Sequence, residues 1–435
     1  MLDMSQARGS DGFAVDAPAI PSDERVSART WYAVCVLAMV NCFANMDRIG
    51  LSILLELIKR DLHLTDAQLG IVSGFAFAVF YVLLGLPLAW IADHYSRVKL
   101  LSVCLALWSA MTAVTGMAQS YSQLFAARMG VGVGEAGSHP PAHSLIGQYF
   151  PRQKRALGIG VFNAGAALGG AGGLALIGIL GEQLGWRTAL QIVGAMGIPL
   201  ALLVYFTLPE PARPVLPRES KDSALQNIGA LLRRRAYVHL VLAFSIAHVG
   251  TQGFSVWSPA FLMRSFGMRM GEVGAWLGGI TAAFAITGTL LGGYLTSRLL
   301  SRDARWELWL PMSMTALCVP VFAAMAFSPT AGVALGLKAL NTLFGGMGTG
   351  VAIAAVQSFA EPRQRATAVA ITLLVSALLG TGAGPYVIGA ASTALEPTFG
   401  TESLRYALLA TPVMLVWAVI HYALAARDAL RDRVN

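Results

Sequence analysis

Apolar residues in this chain come in long unbroken runs, without the alternation of a half-buried strand or the single stripe of a soluble helix. A helix needs about 20 apolar residues to cross a bilayer. Twelve runs reach that length: 31–58, 66–92, 98–118, 121–150, 156–181, 186–208, 236–263, 270–297, 306–327, 330–359, 366–395 and 403–426. The one long polar break is Pro209–Arg235, where Pro211, Pro214 and Pro217 precede Ser223–Arg235, a stretch suited to an amphipathic helix at the membrane surface. The pattern predicts an all-α membrane protein of twelve transmembrane helices in two six-helix bundles, 30–208 and 236–426. A linker at 209–235 joins them, and polar tails occupy 1–29 and 427–435.

Composition agrees. Hydrophobic residues make up 56% and charged residues 12% of the 435 positions, about half the charge of a soluble domain. A chain so poor in charge cannot cover a water-facing surface. The net charge of +8 does not point to nucleic acid, because the cations form short clusters between apolar runs, not a basic stripe with interleaved aromatics. Of the 31 Lys and Arg, 22 fall on one side of the expected spans, six on the other, and Arg48, Arg128 and Lys338 within them. That bias orients both termini toward the cytoplasm. Cys35, Cys42, Cys104 and Cys318 all sit inside apolar runs and form neither a disulfide framework nor a metal spacing. No cofactor is called for.

The two halves repeat. Pro151-Arg152-Gln153-Lys154-Arg155-Ala156 returns as Pro362-Arg363-Gln364-Arg365-Ala366, an offset of 210 between Arg155 and Arg365 that also carries Arg128 onto Lys338. Two six-helix halves related by an axis along the membrane normal are a transporter architecture, with the site between them. Glycines four apart on the fifth (Gly165, Gly169, Gly173), eighth (Gly288, Gly292) and eleventh runs (Gly380, Gly384) allow close backbone contact, compatible with static packing or with surfaces that slide.

Ionisable groups inside a span are costly and mark functional sites. Counting about 1.5 Å per residue from the outer helix ends, Asp47, Arg48, Arg128, Glu135 and Lys338 lie about 10–21 Å deep, one layer near the midplane. Arg128 and Glu135, seven apart, share a helix face. An arginine that moves relative to a buried carboxyl switches that carboxyl's proton affinity, so Glu135 is the first candidate proton carrier and Asp47 the second. Structural ion pairing is the blander alternative, and Lys338 is also placed to snorkel. His139 and His143, i and i+4 across Pro140 and Pro141, lack a third ligand, and no metal site is expected; hydrogen bonds to carbonyls freed by the prolines suit them better. His248 and Gln252 are ordinary cavity-lining candidates.

The loop Gly85-Leu-Pro-Leu-Ala-Trp-Ile-Ala-Asp93-His-Tyr-Ser-Arg97-Val-Lys99 resembles the signature loop of the major facilitator superfamily. The resemblance implies a latch in which Asp93, with Gly85, Arg97, Arg155 and Arg365 around it, meets a helix N-terminus across the halves in the outward-facing state. A carboxylate is favoured at such a terminus on dipole grounds alone. Asn45-Met46-Asp47-Arg48 and Arg128-Met-Gly-Val-Gly-Val-Gly-Glu135-Ala136 resemble the bacterial branch of the spinster family, best over 41–156, with Trp257-Ser-Pro259-Ala-Phe261 the clearest piece of the second half. One departure is Gly147-Gln148, where relatives often carry an acidic residue. The resemblance implies transport of lysophospholipids or sphingoid lipids such as sphingosine phosphate, proton coupling through Asp47, Arg128 and Glu135, and a bacterial inner membrane.

At the same offset Asp47 and Arg48 map onto Trp257 and Ser258, giving a site charged on one side and aromatic on the other. The expectation is a monomeric proton-coupled alternating-access carrier of an amphiphile, with membrane lipids and protons as partners. Arg48, Arg128, Lys338, Trp257, His248 and Gln252 would bind substrate. A symporter of sugar acids or aromatic carboxylates is the alternative. A membrane-embedded enzyme or sensor is a third class, but no nucleophile–base pair supports it.

Overall fold

The computed structural model describes residues 26–211, 228–361 and 364–432, almost wholly helical. Most of the expected N-terminal tail, Pro214, Pro217, Pro362 and Arg363 lie outside the described residues. Among the described residues ten stretches are long and apolar enough to cross a membrane, and local chemistry explains the difference from the twelve expected spans. The fifth and sixth run together as Arg155–Thr207 and fold back at Gly185, whose φ of 81° and ψ of 161° only glycine adopts readily. The fourth is cut into Tyr121–Ala136 and His139–Tyr149, because Pro140 and Pro141 supply no N–H to the turn before them.

The remaining spans keep the predicted order. The first half contains Ala28–Leu62, Asp66–Ser73 continued by Phe75–His94, and Arg97–Thr115. The second contains Arg235–Phe266, Met270–Leu300, Trp306–Ala326 and Ala331–Ser358, then Arg365–Ser376 leading through the π-helical Ala377–Ala383 into Gly384–Phe399. The twelfth, Ala410–Asp432, carries helix beyond 426 into the expected tail. Of the expected surface helix, residues 228–233 are helical, and Leu231 is buried with Tyr237 and Leu240 of the second half.

An even number of spans puts both ends of the chain on one face, the near face; the opposite one is the far face. The glycine stripes pack within each half. A Cβ on Gly165 or Gly169 would strike the first span's backbone at Ala38 and Cys42, and one on Gly292 would strike Met347 of the tenth. Of the two readings, static packing is the one these contacts fit. The close approaches across the halves lie on other glycines, between spans 5 and 8 at Gly274 and Gly278, and between spans 2 and 11 at Gly70, Gly74 and Gly389.

Candidate functional site

Four of the five midplane charges meet. Gly132 and Gly134 let the fourth span press against Phe77 and Trp108, where a Cβ would come within 2.5 and 2.7 Å of neighbouring atoms, and this turns Arg128 and Glu135 toward the first span. The Glu135 carboxylate accepts from Arg48 Nη2 at 2.5 Å, and Asp47 faces Arg128 at 3.6 Å. Thr112 of the third span donates to Asp47 Oδ2 at 2.7 Å. Asp47, Arg128 and Glu135 are at most 2% exposed, whereas the Arg48 side chain is 27% exposed. Its guanidinium lies over Phe77 (4.7 Å) and Tyr81 (5.4 Å).

The quartet is electrically balanced but short of hydrogen bonds. Asp47 Oδ1, Arg48 Nε, Arg128 Nε and Nη1, and Glu135 Oε1 are buried without a hydrogen-bonding partner. An orphaned buried polar atom costs about 1–3 kcal/mol. Apolar packing of similar volume often joins helices as well as such a buried cluster does.

The other expected site residues lie elsewhere. Lys338 does not join the quartet: its Nζ sits 5.6 Å from the Phe254 ring and has no acidic partner among the described residues. It occupies in the second half the place of Arg128 in the first, but Trp257 stands where Asp47 does. Trp257 is itself fully buried, donating from Nε1 to the Pro385 carbonyl (2.8 Å), so it does not face an open cavity in this conformation. His248 and Thr251 line a cavity of about 90 Å³ within the second half, with Thr315, Cys318, Thr349 and Leu415. Gln252 is half-buried beside it in sequence. Ser138, not the histidines, caps the broken fourth span, donating to the Glu135 carbonyl at 2.7 Å, while His139 and His143 pack on Phe162.

Among the described residues, no hydrogen bond or ion pair carries an expected latch residue to the other half. Asp93 is exposed, and Gly85 has nothing within 4 Å of a would-be Cβ. Arg97 is buried, and Arg155 bonds the Phe150 carbonyl next to it in its own half. Arg365 is exposed. The carboxylate on the N-terminus of the third span is Glu210, which accepts from Ser96 Oγ and the amides of Arg97 and Val98.

The side-chain contacts that join the halves cluster on the far face instead. Thr65 and Gln68 form a capping box that fixes Asp66 at the start of the second span. Arg264 of the seventh span then grips Asp66 through both terminal nitrogens, and Glu56 through Nε. Lys59 and Ser392 complete the shell of Asp66. Glu182 at the end of span 5 accepts from the Gly271 amide of span 8 (2.7 Å), and Thr393 of span 11 accepts from the Ala67 amide of span 2 (2.9 Å). Sequence reasoning missed this closure because loop-proximal charges look like solvated ones; Glu56, an acid inside the first apolar run, was the available signal.

The family model described as Major Facilitator Superfamily matches residues 37–385. The chain belongs to the Major Facilitator Superfamily. It is a membrane transporter, not an enzyme. An MFS-type efflux pump of Mycolicibacterium smegmatis is 35% identical over 414 residues, covering 93% of this chain and 95% of the pump. The sphingosine-1-phosphate transporter SPNS2 of Danio rerio is 25% identical over 433 residues, covering 92% and 85%. A solved bacterial homologue of the human lysosomal transporter spinster, inward-facing and unoccupied, superposes with a TM-score of 0.84 at 28% identity, covering 93% of this chain and 98% of that one. The facilitator fold and the spinster resemblance are thereby established for the whole twelve-helix bundle.

Proposed function

We propose that this facilitator is a proton-coupled, alternating-access carrier of an amphiphile with an anionic or zwitterionic head, a lysophospholipid or a sphingoid phosphate. The observation that carries the proposal is the asymmetry of the midplane quartet. Arg48 is its one partly exposed member and holds the buried Glu135 through a single nitrogen. A substrate phosphate or carboxylate that engages Arg48 competes with Glu135 for that guanidinium, and the released carboxyl takes up a proton. Asp47, fixed by Thr112 and Arg128, stays in place as the anchor of the pair.

The small cavity beside His248, where Phe244, Met314, Phe344 and Leu415 alternate with threonine hydroxyls, offers an apolar surface against which a tail can start to bind. The relative named as a sphingosine-1-phosphate transporter supports the same substrate class. The near face is cytoplasmic in this proposal, by the excess of Lys and Arg on it, and the far-face closure makes the conformation inward-facing.

A proteoliposome assay tests it. With a pH gradient imposed, labelled lysophosphatidylcholine, sphingosine 1-phosphate and a sugar diacid are offered in parallel. Gradient-driven movement of either lipid supports the proposal. Movement of the diacid alone would replace it with organic-anion symport, for which Arg48 and Lys338 are also suited.

A further inference from the structure

The second span, like the first, touches both the partner half and the proton site. It is kinked at Gly74 (φ −110°, ψ −85°), between the helices Asp66–Ser73 and Phe75–His94. At that kink it meets the π-helical turn of span 11, where a Cβ on Gly74 would fall 2.2 Å from the Gly382 carbonyl oxygen. A kink and a π-helical turn, both departures from regular helix that recur where helices bend or act, face each other across the halves.

One turn below the kink stand Phe77 and Tyr81. They are i and i+4, so they share a face, and their rings stack with centroids 5.3 Å apart. Arg48 of the first span lies over both rings. Its Nε has no hydrogen-bonding partner and Nη2 alone reaches Glu135. No bidentate fork therefore fixes this guanidinium, which rests against the aromatic shelf.

We propose that Phe77 and Tyr81 are positioning residues that tie the Arg48–Glu135 contact to the posture of the second span. When span 2 pivots about Gly74 against span 11, the shelf moves and the guanidinium moves with it, away from or onto the Glu135 carboxylate. The opening of the near face and the proton affinity of the site are then two readouts of one movement. This rests on the proton-coupled proposal above, since it assigns the shelf a part in that coupling. A structural alternative is that the rings merely fill space between spans 1, 2 and 4.

The test reads conformation against pH without any substrate. Spin labels are placed at Lys99 and Arg302, exposed near-face positions of the two halves, in the full chain with its native cysteines replaced, and their distance distribution is followed across pH in liposomes. The wild-type background is expected to shift between short and long distances with pH, and Glu135→Gln to abolish that response. Phe77→Leu with Tyr81→Leu, which keeps apolar volume and removes the rings, is expected to displace the midpoint by about one pH unit, the size of one cation–π contact. Tyr81→Phe, which keeps the ring, is expected to retain the wild-type midpoint. Tyr81→Leu alone, at a half-buried position, covers the case in which the double variant does not fold. A pH-responsive wild type with an unmoved midpoint in the leucine variants overturns the role of the shelf only. A wild type that ignores pH overturns the coupling proposal and the shelf with it.

Discussion

Arg264 and Asp66 form the best-satisfied ion pair among the described residues, with nitrogen–oxygen distances of 2.7 and 2.9 Å through the two terminal nitrogens. The arginine comes from the second half and the aspartate from the first, and Glu56 takes the remaining Nε–H at 2.7 Å. The contrast with the midplane is chemical. There, five polar atoms of the quartet lack hydrogen bonds; here Arg264 Nε, Nη1 and Nη2 and both Asp66 oxygens are all engaged. One network holds a shape and the other is free to change state.

Removing Arg264 should therefore open the far face. Truncating one partner of a buried pair costs about 3–5 kcal/mol, enough to reverse a conformational preference of ordinary size. In Arg264→Gln, labels at the exposed far-face positions Arg60 and Thr401 should separate relative to the parent. Unchanged distances would mean that glycine packing between spans 2 and 11 closes this face unaided.

The two carboxylates of the quartet should respond differently to neutralisation. Glu135→Gln leaves Arg48, which is 27% exposed and can be hydrated, so folding stability should change by less than about 1 kcal/mol. Asp47→Asn leaves Arg128, 1% exposed, beside a neutral amide, and should cost about 3–5 kcal/mol. Thermal unfolding in detergent separates the two. On the proposed mechanism, Glu135→Gln also loses gradient-driven transport and keeps counterflow exchange; loss of both activities would make Glu135 a structural or substrate-binding group.

Much of this was legible in the chain. Long apolar runs, the bias of 22 cations to one side, and the 210-residue offset give twelve helices in two halves because membrane insertion reads hydrophobicity and charge locally. The charges Asp47, Arg48, Arg128 and Glu135 could be placed at one depth because helical rise is fixed. What pairs with what could not be read. Lys338 sits at the depth of Arg128, yet the residue facing it is an aromatic, and only the lateral packing of spans 7 and 10 decides that. Thr112 and Phe77 belong to runs that look uniformly apolar or polar-neutral, so nothing in spacing marked them. The far-face closure was hidden because Lys59, Asp66 and Arg264 lie at span ends, where charges are ordinarily solvated.

Two glycines of the second span should behave oppositely on substitution. Gly74→Ala places a methyl 2.2 Å from the Gly382 oxygen, and the obstacle is backbone that cannot rotate away. Overpacking of this kind costs about 1–3 kcal/mol and should loosen spans 2 and 11 on the far face. Gly85→Ala meets nothing within 4 Å and replaces a glycine inside a helix, so it should be neutral or stabilise this conformation by about 0.5–1 kcal/mol. Melting of the two variants side by side checks the sign; equal destabilisation would refute the steric assignment of Gly74.

Glu182 and Asp93 should bias the carrier in opposite directions. Glu182 sits on the N-terminus of span 8, where its Oε2 takes the Gly271 amide and Arg269 flanks the other oxygen. A carboxylate at a helix N-terminus contributes about 0.3–1 kcal/mol, and up to about 2 when partly buried, so Glu182→Gln should weaken far-face closure by that amount. Asp93 is exposed on the near face and has no hydrogen bond or ion pair among the described residues. If it docks on a helix N-terminus when the near face closes, Asp93→Asn destabilises only that alternative and shifts the population toward the one described here. The double variant should lie near the parent, because each change removes a comparable contact from a different state. Distances from the near-face labels at Lys99 and Arg302 report all four proteins on one scale. A double variant that follows Glu182→Gln alone would show that Asp93 takes no part in the closed near face.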